Sequence, residues 1–164
     1  MKHVWAPWRM PFIEKHEAEP GCIFCRAASD AEEEHYVVLR RSRCLVMLNL
    51  YPYNSGHLMI APYQHVGELQ RLESETASDV WATAQLALDV LNIVMQPDGF
   101  NLGVNQGEAA GAGIADHVHL HVVPRWSGDT NFMPVLADAK VMPELLTATA
   151  VKLRSAFESH AGPG

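Results

Sequence analysis

The stretch Asp116-His117-Val118-His119-Leu120-His121-Val122-Val123-Pro124-Arg125-Trp126 decides how the rest of the chain is interpreted. In its first half, histidine alternates with an apolar residue. Side chains on a strand point alternately to opposite faces. We therefore expect His117, His119 and His121 to share one face, with the apolar residues between them in the core. Pro124 cannot donate to a ladder, which predicts that the strand ends there. A polar outer face explains one histidine, but it does not explain three in alternation.

Three imidazoles on one face allow two kinds of chemistry. In the first, two or three of them hold a metal ion that keeps an open position for water. In the second, a neutral imidazole attacks phosphorus and forms a covalent phosphoramidate, while a neighbouring imidazolium donates a proton to the departing oxygen. Histidine suits this role because its ordinary pKa of about 6.5 leaves it largely neutral at cellular pH. The preceding loop, Gln106 to Gly113, is rich in glycine and alanine, so backbone N–H groups can approach a phosphate there.

Length and composition narrow the class of protein. The chain has 164 residues, the size of one domain, and 48% of them are hydrophobic. A net charge of −7 argues against nonspecific nucleic-acid binding but is compatible with a small phosphorylated ligand. We expect no membrane span, because no apolar run approaches about 18 residues. The N-terminus lacks the apolar core of a secretion signal, so we expect a cytoplasmic location.

The remaining patterns predict an α+β fold in which an antiparallel sheet packs with one long helix and a C-terminal helix. Apolar residues at helical spacing predict a helix from about Thr76 to Gln96, with Thr76 and Asp79 as a capping box. A second helix is expected after Pro143. Besides the histidine strand, β-rich or alternating runs predict strands over residues 36–39, 44–48, 57–61 and 100–104, the first two of which are expected to form a hairpin.

The run from His117 to Val123 resembles the signature of the histidine-triad (HIT) family, which is His-x-His-x-His-x-x with apolar x. The resemblance covers most of the chain. Residues 49–62 are similar to the nucleoside-binding strand pair of the family, and residues 5–9 and 124–132 resemble its bacterial branch that contains diadenosine tetraphosphate phosphorylases. The resemblance implies a single HIT domain over residues 1–164, with an N-terminal arm (1–20) and a C-terminal extension (125–164).

The resemblance also implies a role for each residue of the candidate site. His119 would be the nucleophile, His121 would bind the scissile phosphate and help the leaving group depart, and His57 would support the catalytic strand. Asn49 would hydrogen-bond the ribose, and Gln106, thirteen residues before His119, would contact a phosphate. Relatives often carry Ser or Thr just before the triad. This chain has Gly113-Ile114-Ala115-Asp116 there, so backbone amides are expected to replace the hydroxyl contact.

The cysteines raise a separate question. Cys22-x-x-Cys25 is half a metal site or a redox pair, and the redox reading needs a helix start in a thioredoxin-like βαβ setting that the sequence does not offer. The resemblance implies a structural zinc site, completed by His65 and by His117. Cys44 lies in an apolar run and is expected in the core.

The function expected from this resemblance is cleavage of diadenosine tetraphosphate or a related adenine nucleotide through a nucleotidyl-His119 intermediate, with inorganic phosphate or water as acceptor. Three alternatives stay open: a hydrolase of nucleoside phosphoramidates, a non-catalytic nucleotide- or zinc-binding protein, and a metalloenzyme with zinc on the triad. We expect no organic cofactor and no nucleic-acid partner. The resemblance implies a homodimer or higher homo-oligomer, for which Trp5, Pro7, Trp8 and residues 132–135 are candidate contacts.

Overall fold

The computed structural model describes residues 21–29, 36–129 and 142–160. The N-terminal arm and residues 132–135 lie outside these ranges. The elements in chain order are α1 (Ile23–Ser29), β1 (Val37–Arg40), β2 (Cys44–Leu48), β3 (Leu58–Pro62), a 3-10 turn (Leu69–Arg71), α2 (Ser74–Met95), β4 (Gly99–Val104), a second 3-10 turn (Glu108–Ala110), β5 (Leu120–Arg125) and α3 (Leu146–His160).

The five strands form one antiparallel sheet in the order β1-β2-β3-β5-β4. This arrangement confirms the predicted α+β class and the predicted hairpin of β1 and β2. Strand β5 lies between β3 and β4, and β4 forms one edge. Among the described residues, no helix is long and apolar enough to cross a membrane.

The sheet has two buried faces with different contents. The helix face is covered by α2 and α3 and is apolar, and Cys44 is buried there as expected. The histidine face is covered by α1, whose Phe24 and Ala27 belong to a smaller apolar cluster. Met59 belongs to that cluster and lies directly opposite His121 in the β3–β5 ladder, so His121 also points to this face.

Helix α2 begins two residues earlier than predicted, and the predicted capping box is wrong. Thr76 is buried inside the helix. The Asp79 carboxylate accepts hydrogen bonds from the backbone N–H of Arg43 at 3.1 Å and from the Ser42 hydroxyl at 3.3 Å. Asp79 therefore fastens the helix to the β1–β2 turn, and its partners lie too far away in sequence for a local pattern to reveal them.

Strand β5 also differs from the prediction at both ends. Its ladders begin at Leu120, so His117 and His119 precede the strand. The backbone N–H of Val118 donates instead to the Val66 carbonyl, beyond the end of β3, at 2.7 Å. At the other end the strand continues through Pro124, because the β3 ladder stops at Val122 and only β4 pairs further. Proline is tolerated where one side of a strand has no partner.

Candidate active site

Four histidines are buried close together on the histidine face. The exposed fractions are 0% for His57, 1% for His117, 5% for His119 and 9% for His121. Buried polar groups need hydrogen-bond partners, and in histidine the partner decides which ring nitrogen carries the proton. The contacts of these four rings therefore assign their neutral forms.

His119 presents its Nε2 as a lone pair. Its Nδ1–H donates to the His117 carbonyl oxygen at 2.9 Å, which places the ring proton on Nδ1. The pKa of His119 is lowered mainly by burial; the hydrogen bond to the His117 carbonyl acts in the opposite direction, and a smaller electrostatic effect of His117 adds to the lowering. His119 therefore stays neutral at the pH of the cell, which is the form that an imidazole nucleophile needs.

His57 and His121 form a hydrogen-bonded pair with a defined direction. The backbone N–H of Tyr53 donates to His57 Nδ1 at 3.1 Å, so the proton of this ring lies on Nε2. His57 Nε2–H then donates to His121 Nδ1 at 2.9 Å. A neutral His121 must consequently carry its own proton on Nε2, from which it can donate a hydrogen bond to a departing oxygen.

His117 has the opposite arrangement and faces the cysteines. Its Nε2–H donates to the Pro62 carbonyl oxygen at 2.8 Å, which leaves Nδ1 as a lone pair. That Nδ1 lies 3.2 Å from Cys22 Sγ, 3.7 Å from Cys25 Sγ and 3.1 Å from His65 Nδ1. Of the triad, His117 is therefore the member that is oriented as a ligand and not as a reactive group.

The structure brings together all four residues of the expected zinc site. The ligand atoms of Cys22, Cys25, His65 and His117 lie within 4.8 Å of one another, and Cys25 Sγ is 3.2 Å from His65 Nδ1. Nitrogen and sulfur ligands of a tetrahedral Zn²⁺ at about 2.0–2.3 Å are about 3.3–3.8 Å apart, close to the contacts seen here. Two thiols and two imidazole nitrogens at this spacing fit zinc.

The cysteine pair stands at a helix start, because α1 begins directly after Cys22. Burial opposes ionisation of Cys22. Hydrogen bonding with His117 and with backbone N–H groups, together with the electrostatic interaction with His117, outweighs that effect and lowers its pKa to about 6. Burial and the neighbouring Cys22 raise the pKa of Cys25. The next element is the antiparallel strand β1, so the thioredoxin-like βαβ setting is absent from the described residues.

Helix α1 also supplies a residue that the sequence did not single out. Phe24 is 1% exposed, and its ring centroid lies 4.7 Å from that of His119 and 5.1 Å from that of His117. The aromatic ring excludes water from the back of both imidazoles. Phe24 lies between the two cysteines in the sequence, but no local pattern indicates that this segment packs on the triad.

The expected substrate-binding residues have different surroundings. Asn49 lies beside the His57 ring, with its Nδ2 at 3.3 Å from Nδ1. Gln106 accepts a hydrogen bond from the backbone N–H of Leu69 at 2.8 Å, and it donates to Gln70 at 3.2 Å. These bonds connect Gln106 to the 3-10 turn after β3 and not to the triad. Gly113 is exposed in the loop before the triad.

A second residue outside the prediction connects the loop between β2 and β3 to the end of β5. The buried Asn54 donates through Nδ2 to the Pro124 carbonyl at 3.0 Å and to the Asp129 carboxylate at 2.8 Å. Asp129 also accepts two hydrogen bonds from the Arg125 guanidinium. The network fixes the residues before His57 against the end of β5, and no local sequence pattern indicates it.

This arrangement of histidines on a five-stranded sheet defines a class of protein. Residues 30–128 match the model of the HIT domain, and the chain therefore belongs to the HIT family. It is 40% identical over 157 residues to an AP-4-A phosphorylase of Mycobacterium tuberculosis (strain ATCC 25618 / H37Rv), an alignment that covers 91% of this chain and 80% of that protein. A bis(5'-adenosyl)-triphosphatase of Dictyostelium discoideum is 32% identical over 79 residues, which cover 48% of this chain and 52% of that protein.

Solved structures agree with the fold. A Zn-bound histidine triad family protein from Mycobacterium smegmatis superposes with a TM-score of 0.68 at 26% identity, covering 85% of this chain and 94% of that chain. A histidine triad nucleotide-binding protein from Sulfolobus tokodaii strain7 superposes with a TM-score of 0.69 at 23% identity, covering 84% and 93%. The second likeness supports the fold alone.

Proposed function

We propose that this protein cleaves diadenosine tetraphosphate by phosphorolysis, through a covalent adenylyl-His119 intermediate. The observation that carries the proposal is the set of hydrogen-bond contacts that assigns the ring protons on the histidine face. Attack at phosphorus requires a lone pair, which His119 Nε2 provides. Release of an oxygen leaving group is helped by a hydrogen-bond donor, which is the Nε2–H of His121. The similarity to the mycobacterial AP-4-A phosphorylase supports the substrate and the acceptor.

The proposed reaction has two displacements at the same phosphorus. In the first, His119 Nε2 forms a bond to an α-phosphorus, the bond from that phosphorus to the bridging oxygen breaks, and ATP leaves while the Nε2–H of His121 donates a hydrogen bond to the departing oxygen. In the second, inorganic phosphate attacks the α-phosphorus, the P–N bond breaks, and ADP is released. Water as the acceptor would give AMP in place of ADP.

The same proposal includes a structural Zn²⁺ on Cys22, Cys25, His65 and His117. When bound, the metal would link the segment that carries Cys22 and Cys25 to the triad. No catalytic role is assigned to the metal. Because the Nδ1 of His117 is directed at the cysteines, a zinc ion held jointly by the three triad histidines is not favoured. Among the described residues, the Cys/His cluster is the one group arranged for a metal.

A homodimer and a cytoplasmic location complete the proposal. The outer edge of β4 is unpaired in the described sheet, and Leu102 on this strand is 38% exposed, which suits pairing with a second copy. Light scattering of the purified chain tests this part. A molar mass near 36 kDa, about twice the 18.1 kDa of one chain, is expected, and a mass near that of one chain would contradict it.

The experiment for the reaction is incubation with diadenosine tetraphosphate, with and without inorganic phosphate, followed by chromatography of the products. ADP plus ATP, formed only when phosphate is present, is the expected result. AMP plus ATP in both tubes would make the protein a hydrolase, a second candidate that the similarity to the Dictyostelium triphosphatase favours. Absence of turnover in both tubes would contradict the proposal and direct attention to nucleoside phosphoramidates and to a non-catalytic role.

A further inference from the structure

The triad residues His117 and His119 are positioned by contacts outside the sheet. The ladders of β5 begin at Leu120, so the backbone before it lacks strand partners on β3 and β4. Two of these contacts come from the end of β3 and from the segment that follows it. Val66 accepts a hydrogen bond from the backbone N–H of Val118 at 2.7 Å, and the Pro62 carbonyl accepts one from the His117 ring at 2.8 Å.

Gly67 is the next residue of this supporting segment, and it touches the triad segment backbone to backbone. A Cβ placed on Gly67 would lie 2.4 Å from the Ala115 carbonyl oxygen and 3.3 Å from the Asp116 Cα. Nonbonded heavy atoms pack at about 3.5–4.0 Å, so any side chain here requires the two segments to separate by about 1 Å. The obstacle is main chain, which cannot rotate away as a flexible side chain would.

Glycine at this position is required for space and not for its backbone conformation. Gly21, Gly56, Gly107, Gly111 and Gly128 have positive φ, but Gly67 is not among the positive-φ residues. An alanine could therefore adopt the local backbone geometry of position 67 without strain. The Cβ of an alanine would, however, displace Ala115 and Asp116 from their present positions.

We propose that Gly67 is a positioning residue of the active site: the absence of a side chain lets residues 66–67 lie against residues 115–116 and so fixes the location of His117 and His119. Displacement of Asp116 moves His117, and His119 moves with it because its Nδ1–H is bonded to the His117 carbonyl. A shift of about 1 Å in a reacting group can cost about 100-fold in rate.

The test compares Gly67→Ala with Gly99→Ala, a control in β4 where an added Cβ meets nothing within 4 Å. The inference rests on the proposed function, so turnover of diadenosine tetraphosphate with inorganic phosphate is first measured for the wild type. We expect Gly67→Ala to lower kcat by about 30- to 100-fold with KM changed by less than about 3-fold. Gly99→Ala should stay within about 2-fold of the wild type. An unchanged kcat in Gly67→Ala, or an effect confined to KM, would overturn the inference.

Two further measurements separate positioning from general damage. The double variant Gly67→Ala/Ala115→Gly gives the crowded carbonyl more freedom to turn away, so it should recover part of kcat and of stability. No recovery would argue against the crowding. If the wild type itself shows no turnover, the proposed function fails, but ¹⁵N spectra of the imidazoles still test Gly67. A changed His119 signal beside an unchanged His57 signal supports the inference, whereas two unchanged signals overturn it.

Discussion

The two faces of the sheet bury their residues for different purposes. On the helix face, Leu153 and Phe157 of α3 and residues of α2 fill a continuous apolar core, in which one aliphatic group can replace another of similar volume. On the histidine face the apolar cluster is small, and four buried imidazoles each have a named partner atom. Burial therefore stabilises the chain on the first face and sets proton positions on the second.

The largest effects on kcat and on stability are expected from one substitution on each face. His119→Asn removes the nucleophile and should lower kcat by at least about 1000-fold, while the affinity for AMP stays within about 5-fold. Leu153→Ala on the helix face should leave kcat of the folded enzyme within about 3-fold but cost about 2–5 kcal/mol of unfolding free energy. Turnover assays, calorimetric titration with AMP and denaturant unfolding measure the three quantities. A His119→Asn enzyme that still turns over would remove the distinction between the faces.

A smaller effect is expected at His57, which acts through His121. In His57→Gln the side-chain amide can still donate from the position of Nε2, whereas the shorter side chain in His57→Asn cannot reach. We expect kcat to fall about 10- to 100-fold in His57→Asn and clearly less in His57→Gln. Equal losses in both variants would show that His57 contributes only packing to the histidine face.

The metal cluster should affect stability more than rate. Cys22→Ser is expected to abolish the binding of about one zinc per chain and to lower the unfolding midpoint by roughly 5–10 °C, since loss of a metal costs a few kcal/mol. Cys44→Ala on the helix face is the matched control, because it removes a buried thiol without a role in the cluster. Elemental analysis and thermal unfolding provide the readouts. Full zinc content in Cys22→Ser would contradict the assignment.

The smallest effect is a displacement of the acid limb in the pH profile. Burial lowers the pKa of His119, so the neutral nucleophile persists below the ordinary histidine pKa of about 6.5. The acid limb of kcat/KM assigned to His119 should therefore lie below pH 6.5. For the same reason this residue contributes a loss of stability as the pH falls below about 6.5, because the unfolded chain then binds the proton more readily. An acid limb above pH 6.5 would contradict the assignment.

Local patterns in the sequence were sufficient for much of the fold. Apolar spacing predicted α2 and α3, alternation predicted the strands, and the hairpin of β1 and β2 followed from two β-rich runs. The family resemblance brought together Cys22, Cys25, His65 and His117, which the structure places within 4.8 Å. Each of these inferences depends on residue types at fixed spacing, and that information is present in the chain itself.

The features that the sequence predicted wrongly or did not reveal have a common physical cause. Asp79 was predicted to cap its own helix, but it binds the backbone of Arg43. The start of β5 was misplaced because Val118 bonds to Val66 and not to a strand. The closeness of Gly67 to Ala115 depends on the path of two separate loops. Partners that are remote in sequence decide all three features, and a pattern of nearby residues contains no information about them.

The most direct test of the central claim is to trap the covalent intermediate. Enzyme mixed with excess diadenosine tetraphosphate in the absence of inorganic phosphate is quenched in alkaline denaturant, in which a phosphoramidate survives, and the peptides are mapped by mass spectrometry. The account predicts one adenylyl group on His119 and none in His119→Asn. An adduct on His121 or on another residue, or turnover that proceeds with no adduct at any time point, would contradict it.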